Sequence, residues 1–189
     1  MKYFKLLYDY VNDEDAICCE SDKLYCADRY DVEKGVIIND WDDRITLYYN
    51  PKEGNRETDF LGNDLGWLII SEKLKLILEN EMIRGIQYLP VSIKNKLDSK
   101  LLNNYYVANI YNSIDALDLS RSDYSVFELD ENEKIFSFKL HVLKGEKLKG
   151  IDIFRLKEDN IPQFVSEKIV NLIKENGITG FDFNEVVVV

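Results

Sequence analysis

Histidine and cysteine are scarce in this chain, and their scarcity limits the chemistry available to it. Among 189 residues there are one histidine and three cysteines. His141 is therefore the only imidazole that could serve as a base, and a histidine-rich metal site is excluded. Three cysteines cannot form the disulfide framework of a secreted protein, because one must stay unpaired. We expect ordinary reduced cysteines and a cytoplasmic location.

Other absences exclude further classes of protein. No apolar run reaches the roughly 18 residues of a membrane-spanning helix, and the N-terminus lacks the apolar region of a signal peptide. Neither a Gly-x-x-x-x-Gly-Lys-Ser/Thr loop nor a Gly-x-Gly-x-x-Gly fingerprint is present, so nothing indicates a nucleotide cofactor. The formal net charge of −11 disfavours contact with a phosphate backbone. We expect no cofactor, no metal, no membrane contact and no nucleic-acid partner.

Acidic residues are concentrated in the N-terminal third of the chain. Residues 1–66 hold 16 acids and 8 bases. Three interpretations of the two densest acidic clusters stay open: solvated turns, a surface that binds a protein, or a site for a hard cation. Neither cluster has the spacing of a calcium-binding loop. The clusters consist of Asp13, Glu14 and Asp15, and of Asp40, Asp42 and Asp43 around Trp41.

Two helices and several short strands are predicted. Apolar residues at i, i+3 and i+4 follow Ser71 and again Ser166, so we expect two helices with these serines as N-caps. Runs of β-branched and aromatic residues predict strands at 3–10, 35–38 and 45–49. Residues 134–143 alternate between apolar and polar, which predicts one half-buried antiparallel strand. His141 falls on its polar side, and we expect it to face solvent.

A segment of the chain recurs 95 residues later. At this offset 71–91 and 166–186 share six of 21 positions, and their apolar positions match in class. The match indicates either a structural duplication or two ordinary helix–strand units with similar caps. Met82 stands where Gly177 stands, so we expect the first helix to end with a different cap.

The predicted fold class is α+β, with mostly antiparallel sheet, two main helices and a candidate pseudo-repeat of helix–strand units. We expect one domain over 1–189. It would consist of an acidic, β-rich part at 1–58 and a part with the repeated helix–strand units at 59–189.

From residue 59 onward, an ordered set of short segments resembles a known bacterial family. The most specific succession is Phe154-Arg155, then Ser166-Glu167-Lys168, then Gly177-Ile178-x-Gly180-Phe181. It resembles immunity-protein family eleven of polymorphic toxin systems, over about 59–187 and only weakly over 1–58. The resemblance implies a small cytoplasmic protein, encoded beside a toxin, that protects its producer by binding that toxin. It implies no catalytic residue and no cofactor.

The first hypothesis is therefore a stoichiometric inhibitor of a cognate, basic toxin, without enzymatic activity. Its acidic N-terminal surface would cover the toxin's active site, with the six clustered acids steering the encounter and Trp41 or nearby tyrosines anchoring it. A hydrolase that uses carboxylates and a metal is one alternative. A non-catalytic adaptor module, which could self-associate, is the other.

Overall fold

The computed structural model describes residues 1–10, 14–21, 32–128 and 134–189. Within these ranges the chain forms sixteen β-strands in three sheets and two nine-residue α-helices. The expected α+β class is therefore wrong, and the fold is β-rich. Most strands are short, and several are buried along their whole length, so their sequences lack the alternation that marks a half-buried strand.

The first large sheet combines both ends of the chain. Its strands are β1 (Tyr3–Tyr8), β10 (Ser113–Ile114), β13 (Val142–Leu143), β14 (Ile153–Leu156), β15 (Phe164–Ser166) and β16 (Phe181–Val188). They lie in the order β10-β14-β15-β1-β16-β13. A short 3-10 helix, Gly145–Leu148, precedes β14. The strand predicted at 3–10 is thus present as β1 at the centre of this sheet.

The second large sheet has eight strands. They are β2 (Cys18–Ser21), β3 (Thr46–Tyr49), β4 (Phe60–Asn63), β5 (Ile69–Ser71), β6 (Ile86–Pro90), β7 (Ser92–Asn95), β8 (Leu101–Leu102) and β9 (Tyr105–Ile110). Their order is β6-β9-β5-β4-β2-β3-β7-β8. The strand predicted at 45–49 is β3, whereas 35–38 forms no strand.

The third sheet is a hairpin, in which β11 (Asp123–Glu128) and β12 (Lys134–Leu140) pair antiparallel. Tyr124 faces Phe138 and Asp123 faces Leu140, so Lys139 is an extra residue at a bulge. A one-residue bulge turns the following side chains to the other face. The single strand predicted at 134–143 is therefore interrupted. Leu140 is exposed and His141 is only 7% exposed, so the expectation of a solvent-facing histidine is wrong.

Both predicted helices are present, as α1 (Glu72–Asn80) and α2 (Glu167–Glu175). Ser71 Oγ accepts a hydrogen bond from Leu74 N at 3.2 Å and donates one to Asp59 Oδ1 at 2.6 Å. Ser166 Oγ donates to Asp152 Oδ1 at 2.7 Å but makes no cap hydrogen bond. Both serines occupy the predicted N-cap positions, but the capping hydrogen bond forms only in α1.

The two helices end in the same way. Met82 (φ 53°) and Gly177 (φ 59°) both take the left-handed conformation, and Gly85 (φ 89°) matches Gly180 (φ 88°). The expectation of a different cap for the first helix is thus wrong. Glycine adopts this conformation most easily, but Met82 adopts it with its side chain largely exposed.

The same correspondence extends to the strands. The order β4-β5-β9-β6 in one sheet equals β14-β15-β1-β16 in the other, with antiparallel pairing at each matching step. We call β4, β5, α1, β6 and β9 the first unit, and β14, β15, α2, β16 and β1 the second unit. Each unit also pairs with a strand that follows the other unit's central strand: β10, which follows β9, pairs parallel with β14, and β2, which follows β1, pairs parallel with β4.

The two units meet through reciprocal contacts. Lys73 Nζ, near the start of α1, donates to Gly177 O at the end of α2 at 3.3 Å. Lys168 Nζ, near the start of α2, lies 3.3 Å from Glu81 Oε2 at the end of α1. The apolar faces of both helices share one buried cluster. The arrangement is that of a two-fold interface within one chain.

Candidate partner-binding surface

The second acidic cluster precedes β3. Asp42 receives two hydrogen bonds from the Arg44 guanidinium, at 2.8 and 2.6 Å, and one from Arg44 N at 2.9 Å. The hydrogen bonds from the Arg44 side chain and backbone lower the pKa of Asp42 to about 2. Asp42 is therefore ionised at neutral pH, and its charge is offset by Arg44. Asp40 and Asp43 are exposed and contribute the accessible charge of this cluster.

Trp41 serves the fold as well as the surface. Its Nε1 donates to Pro90 O at 2.7 Å, and its ring centroid lies 5.5 Å from that of the buried Trp67. Trp41 is partly buried against the core cluster of the second sheet. Part of the ring stays accessible, so a partner could contact a tryptophan that the fold already holds in place.

Asp15, in the first acidic cluster, contacts the loop that follows β3. Asp15 O accepts hydrogen bonds from Asn55 N at 2.9 Å and Arg56 N at 2.8 Å. A Cβ at Gly54 would collide with Ala16 O, so only glycine fits this close approach. Glu14 and Asp15 are exposed. Asp13 lies outside the described residues.

The structure does not bring the described residues of the two acidic clusters together. β2 and β3 run antiparallel with Cys19 opposite Tyr49, so Asp15 lies beyond the C-terminal end of β3. Asp42 and Asp43 precede its N-terminal end. A four-residue strand spans about 13 Å, so the clusters occupy opposite ends of β3.

His141 and Cys19, whose side chains could serve in catalysis or metal binding, are buried in the protein. His141 Nε2 lies 2.9 Å from Asp159 Oδ2, and its ring stacks on Phe138 at 4.8 Å. Burial raises the pKa of the Cys19 thiol to about 12 and also raises that of Cys18, while Cys26 is outside the described residues. In the described part of the chain, no group of three or more His, Cys, Asp and Glu residues could hold a metal ion.

Sequence reasoning missed a pair of carboxyl groups. Burial raises the pKa of Glu158 most, and a hydrogen bond from its protonated carboxyl to Asp115 and the negative charge of Asp115 raise it further. Glu158 Oε2 is buried and has no hydrogen-bond partner. The pair forms because β10 and β14 are neighbours, with Ile114 opposite Leu156. No local sequence signal indicates such a long-range contact.

The hairpin was also missed as a unit. The run Tyr124-Ser125-Val126-Phe127 is rich in strand-forming residues, and an acidic segment with Asn132 separates it from β12. This pattern is typical of a hairpin with a longer loop. Val126 and Phe127 are substantially exposed, so the hairpin adds an apolar surface to the acidic one.

A known protein family matches nearly the whole chain. The sequence model of the Immunity protein family (Imm11) matches residues 3–188. The match includes the N-terminal third, over which the resemblance in sequence is weak. No curated protein matches the chain. Among the described residues, no helix combines the length and the apolar character that crossing a membrane requires.

Proposed function

Because the chain belongs to the Immunity protein family (Imm11), we propose that it binds a cognate toxin in the cytoplasm and neutralises it by stoichiometric occlusion. The observation that carries this proposal is the family match over 3–188, which includes the acidic N-terminal part. The proposed mechanism has no catalytic step and needs no cofactor. It requires only a surface that covers the toxin's active site.

The charge distribution supports a basic toxin as the partner. The chain carries a formal net charge of −11, and Glu14, Asp15, Asp40 and Asp43 are exposed. Such a field attracts a basic surface and accelerates encounter at low salt. Asp42 contributes less, because Arg44 offsets its charge. We therefore assign the steering to the four exposed acids and a supporting contact to Trp41.

The test compares two variants that lose the same charge. In the first, Glu14→Gln, Asp15→Asn, Asp40→Asn and Asp43→Asn are combined. The association rate with the purified toxin from the same gene neighbourhood is measured by stopped-flow fluorescence over a series of salt concentrations. We expect slower association at low salt and a flatter salt dependence for the first variant. The control combines changes at four exposed acids elsewhere: Asp98→Asn, Glu146→Gln, Glu167→Gln and Glu175→Gln.

The outcomes separate the parts of the proposal. Equal slowing in both variants would leave only a general effect of net charge, and no slowing in either would remove the electrostatic mechanism. Titration of toxin activity checks stoichiometry independently. An end point at one inhibitor per toxin supports occlusion, whereas complete, time-dependent inactivation at lower ratios would favour the enzymatic alternative.

A further inference from the structure

The hairpin of β11 and β12 is attached to the rest of the protein at one end. Within the described ranges, neither strand pairs with a strand of the two large sheets. At its base, Phe138 stacks on His141, whose ring lies 5.3 Å from that of the buried Phe164. Tyr124 and Phe136 continue this row of rings along one face, 5.7 Å apart. The base is thus fixed by aromatic packing.

Beyond this base, the hairpin exposes apolar side chains on both faces. Val126 lies opposite Phe136 and is 43% exposed, while Phe127 is 57% exposed. Consecutive residues of a strand point to opposite sides, so Val126 and Phe127 lie on different faces. Large exposed apolar side chains on a projecting element are typical of interaction sites. A two-stranded hairpin is also marginally stable in water without further packing.

We propose that this hairpin inserts into a cleft of the cognate toxin, with Val126 against one wall and Phe127 against the other. The inference rests on the proposed function and names the contact through which occlusion occurs. A flat partner surface could cover only one face of the hairpin, whereas a cleft covers both. The insertion would place an aromatic anchor in an enclosed pocket, where such residues contribute most to binding.

Charge indicates which kind of cleft fits. The formal net charge of the chain is −11, and Val126 and Phe127 are exposed apolar residues. Charge complementarity therefore favours a basic partner whose cleft has apolar walls. A second copy of this chain fits poorly, since its net charge is also strongly negative.

The test uses threonine, which removes the apolar contact but keeps a high preference for strand. The dissociation constant for the purified neighbouring toxin is measured by calorimetry with the full chain. We expect Phe127→Thr to weaken binding about 30-fold or more, as loss of an interface anchor does. Val126→Thr should weaken it about 5-fold or more, since it places an unpaired hydroxyl against an apolar wall. The matched control is Ile161→Thr, at a 68% exposed position outside the hairpin, which should leave binding unchanged.

The other outcomes refute either the cleft, the hairpin contact or the proposed function. If only one of the two hairpin variants weakens binding, the partner surface is flat and the cleft is refuted. If neither does, although the unchanged protein binds and inhibits the toxin, the hairpin is not the contact and the proposed function stands. If the unchanged protein does not bind the toxin, the proposed function fails as well. A dimer in light scattering that Phe127→Thr dissociates, with toxin binding unaltered, would assign the hairpin to self-association and overturn the inference.

Discussion

The turn after α2 packs closely against β4 of the first unit. Gly180 has φ 88°, and a Cβ there would lie 2.5 Å from Phe60 O and 3.2 Å from Phe60 N. The adjacent Thr179 N donates to Asp59 Oδ2 at 3.0 Å, so β4 is held against this turn. In Gly180→Ala the left-handed conformation costs roughly 1–2 kcal/mol. Displacing a backbone carbonyl of a paired strand adds about 1–3 kcal/mol. We expect a total loss of about 3 kcal/mol in the free energy of unfolding.

Gly150→Ala provides the matched control. Gly150 also has a left-handed φ, of 74°, but no atom lies within 4 Å of a Cβ built there. Its substitution should cost only the conformational part, roughly 1–2 kcal/mol. Both free energies come from urea unfolding followed by the fluorescence of the buried Trp67. Equal losses in the two variants would refute the close approach of Gly180 to β4. A loss in Gly150→Ala that exceeds the loss in Gly180→Ala would refute the conformational argument as well.

Two further predictions concern carboxyl groups. Arg44→Gln should raise the pKa of Asp42 from about 2 toward the ordinary value, measured by NMR titration of the carboxyl carbon; an unchanged titration would exclude Arg44 as the cause. Because the native pKa of Asp42 is lowered, its contribution to stability is present above the ordinary carboxyl pKa and is lost as the pH falls toward about 2. The contribution of Glu158 to stability depends on pH in the opposite direction. Because its native pKa is raised, that contribution is lost as the pH rises through the native pKa. Glu158→Gln should therefore stabilise the protein in urea unfolding at neutral pH and bring no gain below about pH 4, and a gain at both pH values would contradict this.

The sequence predicted the helices well and the fold class poorly, for a physical reason. A helix of nine residues carries its periodicity and caps within one local segment. A strand such as β14 is buried at all four positions, so it shows no alternation, and its neighbours come from distant parts of the chain. Long-range pairing, rather than local preference, makes this chain β-rich.

For the candidate partner-binding surface, too, the sequence predicted local properties and missed those that depend on long-range pairing. That Glu14, Asp15, Asp40 and Asp43 are exposed follows from their charge, because unpaired carboxylates are rarely buried. Their positions at opposite ends of β3 depend on the pairing of β2 with β3, which no local pattern indicates. The burial of His141 depends on a one-residue bulge, and a bulge reverses every later inference about which face a side chain occupies.

The internal repeat indicates where recognition of a partner is to be sought. The most specific succession of the family resemblance, from Phe154-Arg155 to Gly180-Phe181, lies in the second unit, in β14, β15, α2 and β16. The stretches between β2 and β4 (22–59) and between β10 and β14 (115–152) occupy equivalent places and have equal length, yet their described residues form different strands. The first contains the acidic cluster around Trp41 and the second contains the hairpin. Glu14 and Asp15 lie between β1 and β2, in a segment longer than its counterpart between β9 and β10. Connections on a rigid frame are where binding residues are commonly placed. Both proposed contacts with the toxin therefore lie in connections that differ between the two units. Substitutions in these connections can change toxin binding without disturbing the repeated strands and helices.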